Sequence, residues 1–127
     1  MRPITQAPLK ANRVAVRMPR RLKACIDDAL KSAGLSIKRF SAWVSESVVR
    51  LEQTERFWEF VSEEQMSSTE TVSRTISLTP EAVRALDSIA KVTRDHFPPD
   101  KHPEMLEIRS KIIRTAILQR LLDSPQS

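Results

Sequence analysis

The chain has 127 residues, 40% of them apolar and 5% aromatic, with one glycine, one cysteine and a net charge of +5. Enough apolar surface for one core excludes a disordered tail, and the scarcity of glycine and aromatic residues argues against a turn-rich sandwich or barrel, leaving a mostly helical domain. The single cysteine excludes an internal disulfide framework, and no apolar run is long enough for a membrane span or resembles a signal peptide, so a soluble cytoplasmic protein with no membrane partner is expected. The charge is concentrated. Residues 1–40 hold ten Lys or Arg against Asp27 and Asp28, a net +8, which leaves −3 on the other 87 residues. A cation cluster in one third of a chain suggests a polyanionic partner, against the plainer reading of a solvated basic face.

Residues 1–12, with two prolines and no periodicity, read as a flexible basic arm. Arg13 to Met18 then alternates, with Val14, Val16 and Met18 on one face and Arg13, Ala15 and Arg17 on the other, the pattern of a half-buried strand. Pro19 ends it and opens a helix carrying Leu22, Ile26, Ala29, Leu30 and Ala33, which Gly34 stops. Ser36 or Ser41 then caps a long helix whose stripe is Phe40, Trp43, Val44, Val48, Leu51 and Trp58. Residues 62–70 are polar and aperiodic, the best linker in the chain; nine residues span up to ~30 Å.

The plan then repeats. Thr71 to Leu78 alternates, with Val72, Ile76 and Leu78 on one side and Thr71, Ser73, Thr75 and Ser77 on the other. Arg74 falls on the apolar parity, so it either snorkels outward or precedes the strand. Thr79-Pro80-Glu81 is a strong helix start, continued by Ala82, Val83, Leu86, Ile89 and Ala90. A proline-rich connection, 96–103, precedes a final helix with Ile108, Ile112, Ile113, Ala116, Ile117 and Leu121 inward and Arg109, Lys111, Arg114 and Arg120 outward. Strand-helix-helix is too small to bury its own apolar face and needs a second copy.

The segments VAVRMPRRLKACIDDALKSAG, ISLTPEAVRALDSIA and RSKIIRTAILQRLL resemble the ribbon-helix-helix DNA-binding proteins of the Arc and MetJ type. The resemblance covers nearly all of 13–122 except the linker, and the doubling resembles tandem members among relaxosome accessory factors of conjugative plasmids. It implies a mainly α fold with a short two-stranded antiparallel ribbon, in which units 13–61 and 71–123 form one compact intramolecular pseudodimer. It also implies base reading in the DNA major groove by Arg13, Ala15, Arg17, Ser73, Thr75 and Ser77. Phosphates would be held at the second-helix N-termini by Ser36, Lys38, Arg39 and Ser41 in one copy and by Arg109, Ser110 and Lys111 in the other. The arginines discriminate guanine strongly and the hydroxyls weakly, so a non-palindromic target is expected.

The expected function is therefore sequence-specific binding of double-stranded DNA by a transcriptional regulator. The alternatives are an accessory protein of plasmid transfer or maintenance, and a helical protein-interaction module without DNA. The partners are duplex DNA, further copies of the chain on it and, in the plasmid role, a relaxase or other transfer protein. No enzyme activity, cofactor or metal is expected: there is no tyrosine and no glycine-rich phosphate loop, and no serine or cysteine has a recognisable base partner. Asp95, His96, Asp100, His102 and Glu104 crowd one loop but lack a recognised metal-ligand spacing. Phe40, Trp43 and Trp58 are read as core and not as base-stacking residues, and Cys25 as a buried small apolar residue.

Overall fold

The computed structural model describes residues 12–66 and 70–123, so most of the expected arm, part of the expected linker and the last four residues lie outside the described residues. In chain order they form β1 (Arg13–Pro19), α1 (Arg20–Ser32), a 3-10 turn (Ile37–Arg39), α2 (Phe40–Glu52) and α3 (Phe57–Glu63). There follow β2 (Thr71–Ser77), α4 (Pro80–His96), a second 3-10 turn (Pro103–Glu107) and α5 (Ile108–Asp123). The fold is mainly helical, with one two-stranded antiparallel sheet among the described residues.

The register pairs Arg13 with Ser77, Ala15 with Thr75, Arg17 with Ser73 and Pro19 with Thr71 on one face. Val14 with Ile76, Val16 with Arg74 and Met18 with Val72 share the other, because side chains opposite one another lie on the same side of a pleated pair. Val16, Met18 and Ile76 are fully buried, and on the first face Arg13, Ala15, Arg17, Ser73, Thr75 and Ser77 are exposed, as the alternation requires, with Pro19 and Thr71 half-buried at its end. Arg74 lies within the strand, on the core-side face, and is nonetheless exposed.

Pro19 enters α1 with an extended backbone, and Leu22, Ile26 and Leu30 form its buried stripe, one residue per turn. The helix ends in a left-handed glycine: Gly34 has φ +73°, its N–H donates to the Lys31 carbonyl (3.0 Å), and the Leu35 N–H donates to that of Leu30 (2.8 Å). This bond pair satisfies carbonyls that the helix leaves open. In the second half the Thr79 hydroxyl accepts from the Ala82 N–H (3.1 Å) with Pro80 at the first helical position, as expected.

The expected long helix is interrupted. The run EQTER, 52–56, offers no apolar residue to extend the stripe beyond Leu51, and Arg56 turns the chain with a left-handed backbone (φ 60°, ψ 37°). Helix α3 then takes a new direction, burying Phe57 and Val61, while Trp58 is half-buried against the core and stacks on His96 (4.4 Å between centroids, 14° between planes). α3 also runs to Glu63, so the polar stretch read as linker starts as helix.

Helices α2 and α5 form the most extensive helix-helix contact, with α4 against α2 and α1 closing the ribbon side. Trp43, Val44, Val48, Leu51, Ile112, Ile113 and Ile117 centre the core, each fully buried side chain of this size stabilising by about 1.5–3 kcal/mol. Two expectations fail here. Cys25 is exposed, since it flanks the Leu22-Ile26-Leu30 stripe instead of joining it. Lys111, expected outward, is buried, because an acidic residue from another part of the chain meets it inside.

A candidate nucleic-acid interface

The outer face of the ribbon carries Arg13, Ala15, Arg17, Ser73, Thr75 and Ser77, all exposed. Extended backbone rises ~3.3 Å per residue, so Arg13 and Arg17 stand ~13 Å apart along one strand, with the Ala15–Thr75 pair between them. Arg17 Nη1 donates to the Thr71 hydroxyl (3.0 Å), which lays that guanidinium along the ribbon.

The ladder fixes which backbone groups face outward. The Leu78 N–H donates to the Asn12 carbonyl and the Arg20 N–H to that of Glu70, so pairs of even-numbered residues exchange the bonds between strands. The odd-numbered residues therefore direct their N–H and C=O groups to the ribbon's two edges. Helices meet two of these groups. The Ser77 N–H donates to Ser41 Oγ at the start of α2 (3.0 Å), and the Arg17 carbonyl accepts from Arg114 Nη1 on α5 (3.0 Å). Helix α2 is thus docked beside one end of the ribbon and α5 beside the other, on opposite edges.

At the α2 corner, Ser36 Oγ accepts from the Lys38 N–H (2.9 Å) and opens the 3-10 turn that leads into the helix, with Lys38 and Arg39 exposed. Ser41, half-buried, is committed to Ser77. Lys23 lies near, over the Phe40 ring (5.2 Å) and paired with Asp27 (2.8 Å). No acidic side chain occupies the first turn of α2, so the positive end of its dipole, together with the exposed Lys38 and Arg39, favours an anion there.

The α5 corner differs. Arg109 pairs with Asp87 (3.4 Å), Ser110 is half-buried, and Glu104 and Glu107 stand exposed on the preceding turn. Lys111 is withdrawn altogether: its ammonium donates to the Glu64 carbonyl and lies 3.8 Å from Glu64 Oε1. Burial lowers its pKa, the Glu64 carboxylate opposes that shift, and Arg114 adds to it. Glu64 also takes two hydrogen bonds from Arg114, at 2.7 Å from Nε and 3.1 Å from Nη2. Arg114 therefore spans from the buried carboxylate to the backbone of β1, beside a groove of about 720 Å³ lined in part by Arg17, Ser110 and Lys111. Arg120, also expected outward, lies over the Trp43 ring (4.4 Å), donates to the Trp43 carbonyl (2.8 Å) and pairs with Glu46 (3.3 Å). Its pKa is lowered, first by burial and then by Arg50.

The structure thus gathers the six ribbon residues on one exposed face and sets Ser36, Lys38, Arg39 and Ser41 at one corner, but removes Lys111 from the other. Sequence reasoning missed Glu64, whose partners lie 47 and 50 residues away. The histidine loop does not assemble: His96 Nδ1 lies 3.1 Å from the Val92 carbonyl and His102 pairs with Glu104 (3.6 Å). Among the described residues no three His, Cys, Asp or Glu side chains converge as metal ligands, and no helix is long and apolar enough to cross a membrane. Comparison with known proteins returns no match, whether to a family model, a curated sequence or a solved structure.

Proposed function

We propose that this chain is a sequence-specific double-stranded DNA-binding protein that inserts the β1–β2 ribbon into the major groove. The carrying observation is the ribbon's outer face, where six short or basic side chains stand exposed in register with nothing packed over them among the described residues. A major groove ~12 Å wide admits two strands ~4.8 Å apart, and each base pair there presents its own pattern of donors and acceptors. The start of α2 at one corner supplies the positive end of a helix dipole and the cations of Lys38 and Arg39 for a phosphate.

In the same reading the two halves act as a single-chain pseudodimer of the ribbon-helix-helix kind. The register supports this. A shift of 60 residues takes Arg17 to Ser77 (77 − 17) and Arg13 to Ser73 (73 − 13), so exchanging the strands turns the Arg13–Ser77 pair into the Arg17–Ser73 pair and returns Ala15–Thr75 to itself. Where a symmetric dimer would present one residue twice, this ribbon presents an arginine on one strand and a serine on the other. An arginine bridging guanine O6 and N7 discriminates by ~1–3 kcal/mol, and a hydroxyl by much less. The target is accordingly non-palindromic, and the chain serves as a transcriptional regulator or as an accessory protein at a plasmid transfer or maintenance site.

Selection of bound sequences from a random duplex pool, followed by gel-shift titration, tests this. An asymmetric consensus with strong guanine positions ~4 base pairs apart is expected, from ~13 Å of strand at 3.4 Å per base pair. A symmetric consensus, or an Arg13→Ala plus Arg17→Ala variant with unaltered affinity and preference, would overturn it.

A further inference from the structure

Arg74 breaks the pattern of its own strand. It shares the core-side face with buried Val16, yet it is exposed. The 60-residue shift that carries Val16 to Ile76 carries Val14 to Arg74 (74 − 14), and Val14 packs against the core. An arginine at this position forgoes that packing, so its presence calls for a cause outside the fold.

The side chain's course supplies one. Ser73 is an odd-numbered residue, so its carbonyl faces the free edge of β2, away from β1. Arg74 Nη1 donates to that carbonyl (3.1 Å), so the guanidinium has passed round the strand from the core side to the edge. No carboxylate pairs with it among the described residues. Helix α2 meets this edge at the other end, at Ser77, and Arg114 meets the opposite edge, at Arg17. The corner where Arg74 emerges belongs to neither helix.

Resting on the ribbon reading above, we infer that Arg74 is a phosphate-binding residue that grips the groove wall beside β2 without reading sequence. With two strands ~4.8 Å apart centred in a groove ~12 Å wide, each strand axis lies only ~3–4 Å from a wall, and a guanidinium at the edge has its donors aimed at phosphate oxygens. It supplies a cation at the Arg17 end of the ribbon, where the start of α5 is balanced by Asp87, Glu104 and Glu107.

The test is a salt series on the full chain with its selected duplex and with random duplex, comparing wild type, Arg74→Val and Arg74→Lys. Arg74→Val, which restores the residue type of Val14, is expected to stay folded by thermal unfolding and to bind both duplexes more weakly by the same factor. Its slope of log affinity against log salt becomes shallower by about one. A fourfold rise in salt then weakens it about 3.5-fold less than wild type, while Arg74→Lys keeps the wild-type slope and the consensus stays unchanged. An unchanged slope for Arg74→Val, or an altered consensus, overturns the inference. If the Arg13→Ala plus Arg17→Ala variant still shifts sequence preference in that case, the ribbon reading stands and Arg74 alone falls. If wild type binds no duplex, both fall.

Discussion

Replacing Glu64 by alanine is expected to destabilise the protein by about 3–5 kcal/mol, the range for removing one partner of a buried ion pair. The carboxylate side chain is 4% exposed and faces Lys111 at 8% and Arg114 at 12%, so neither cation can recover much hydration once it is gone. The substitution deletes two charge-assisted hydrogen bonds, at 2.7 and 3.1 Å, each worth about 1.5–3 kcal/mol. Arg114 retains the Arg17 carbonyl and Lys111 the Glu64 backbone carbonyl, which holds the loss toward the lower figure. Urea unfolding followed by circular dichroism measures it; about 3 kcal/mol corresponds to a fall in Tm on the order of 10 °C for a chain of this length. The Arg114→Ala variant and the double variant complete a cycle, and the double is expected to lose less than the sum of the singles because no uncompensated guanidinium remains. A loss below about 1 kcal/mol for Glu64→Ala would put the pair in the class of solvated surface ion pairs and refute the reasoning.

Thr93→Val is expected to raise stability by about 1 kcal/mol, since the Thr93 hydroxyl is buried with no hydrogen-bond partner among the described residues; a loss in the same urea assay would show a missed partner. Gly34→Ala should lower stability by about 1 kcal/mol although nothing lies within 4 Å of the added carbon, because φ +73° strains any side chain; a stabilised variant would exclude this. Lys111 titrates below its ordinary 10.5 in the folded chain, so between the lowered value and 10.5 the unfolded chain binds more protons and stability rises with pH. Unfolding free energies across alkaline pH should show that rise in wild type and not in Lys111→Met; equal profiles would count against burial as the cause.

The ribbon and the starts of α1 and α4 were legible because they rest on local signals: alternation, a proline at each turn into a helix, and a hydroxyl cap at Thr79. The break between α2 and α3 was not, because Arg56 turns the chain where no glycine or proline marks it and Trp58 falls in step with the α2 stripe. Helical periodicity also placed Lys111, Arg114 and Arg120 outward. Their burial depends on Glu64, Glu46 and backbone carbonyls brought in from distant parts of the chain, which no window of local sequence contains. Of the candidate interface, the outer face of the ribbon followed from period two alone, whereas the unequal corners required the packing. Arg74 did leave a local trace, as the one charged residue on an apolar parity.

The ribbon's partners lie between 52 residues apart, Pro19 with Thr71, and 64 apart, Arg13 with Ser77. During synthesis at ~5–20 residues per second, β1 waits several seconds before its complement leaves the ribosome. Throughout that interval Val16 and Met18, fully buried in the folded chain, have no strand to close over them. Closing so long a loop must precede any gain from pairing, which makes ribbon formation a late and slow event in folding. Nascent chains are therefore most exposed to aggregation and chaperone capture before residue 77 emerges, and a premature stop inside β2 would release a first half whose apolar strand face has nothing to cover it.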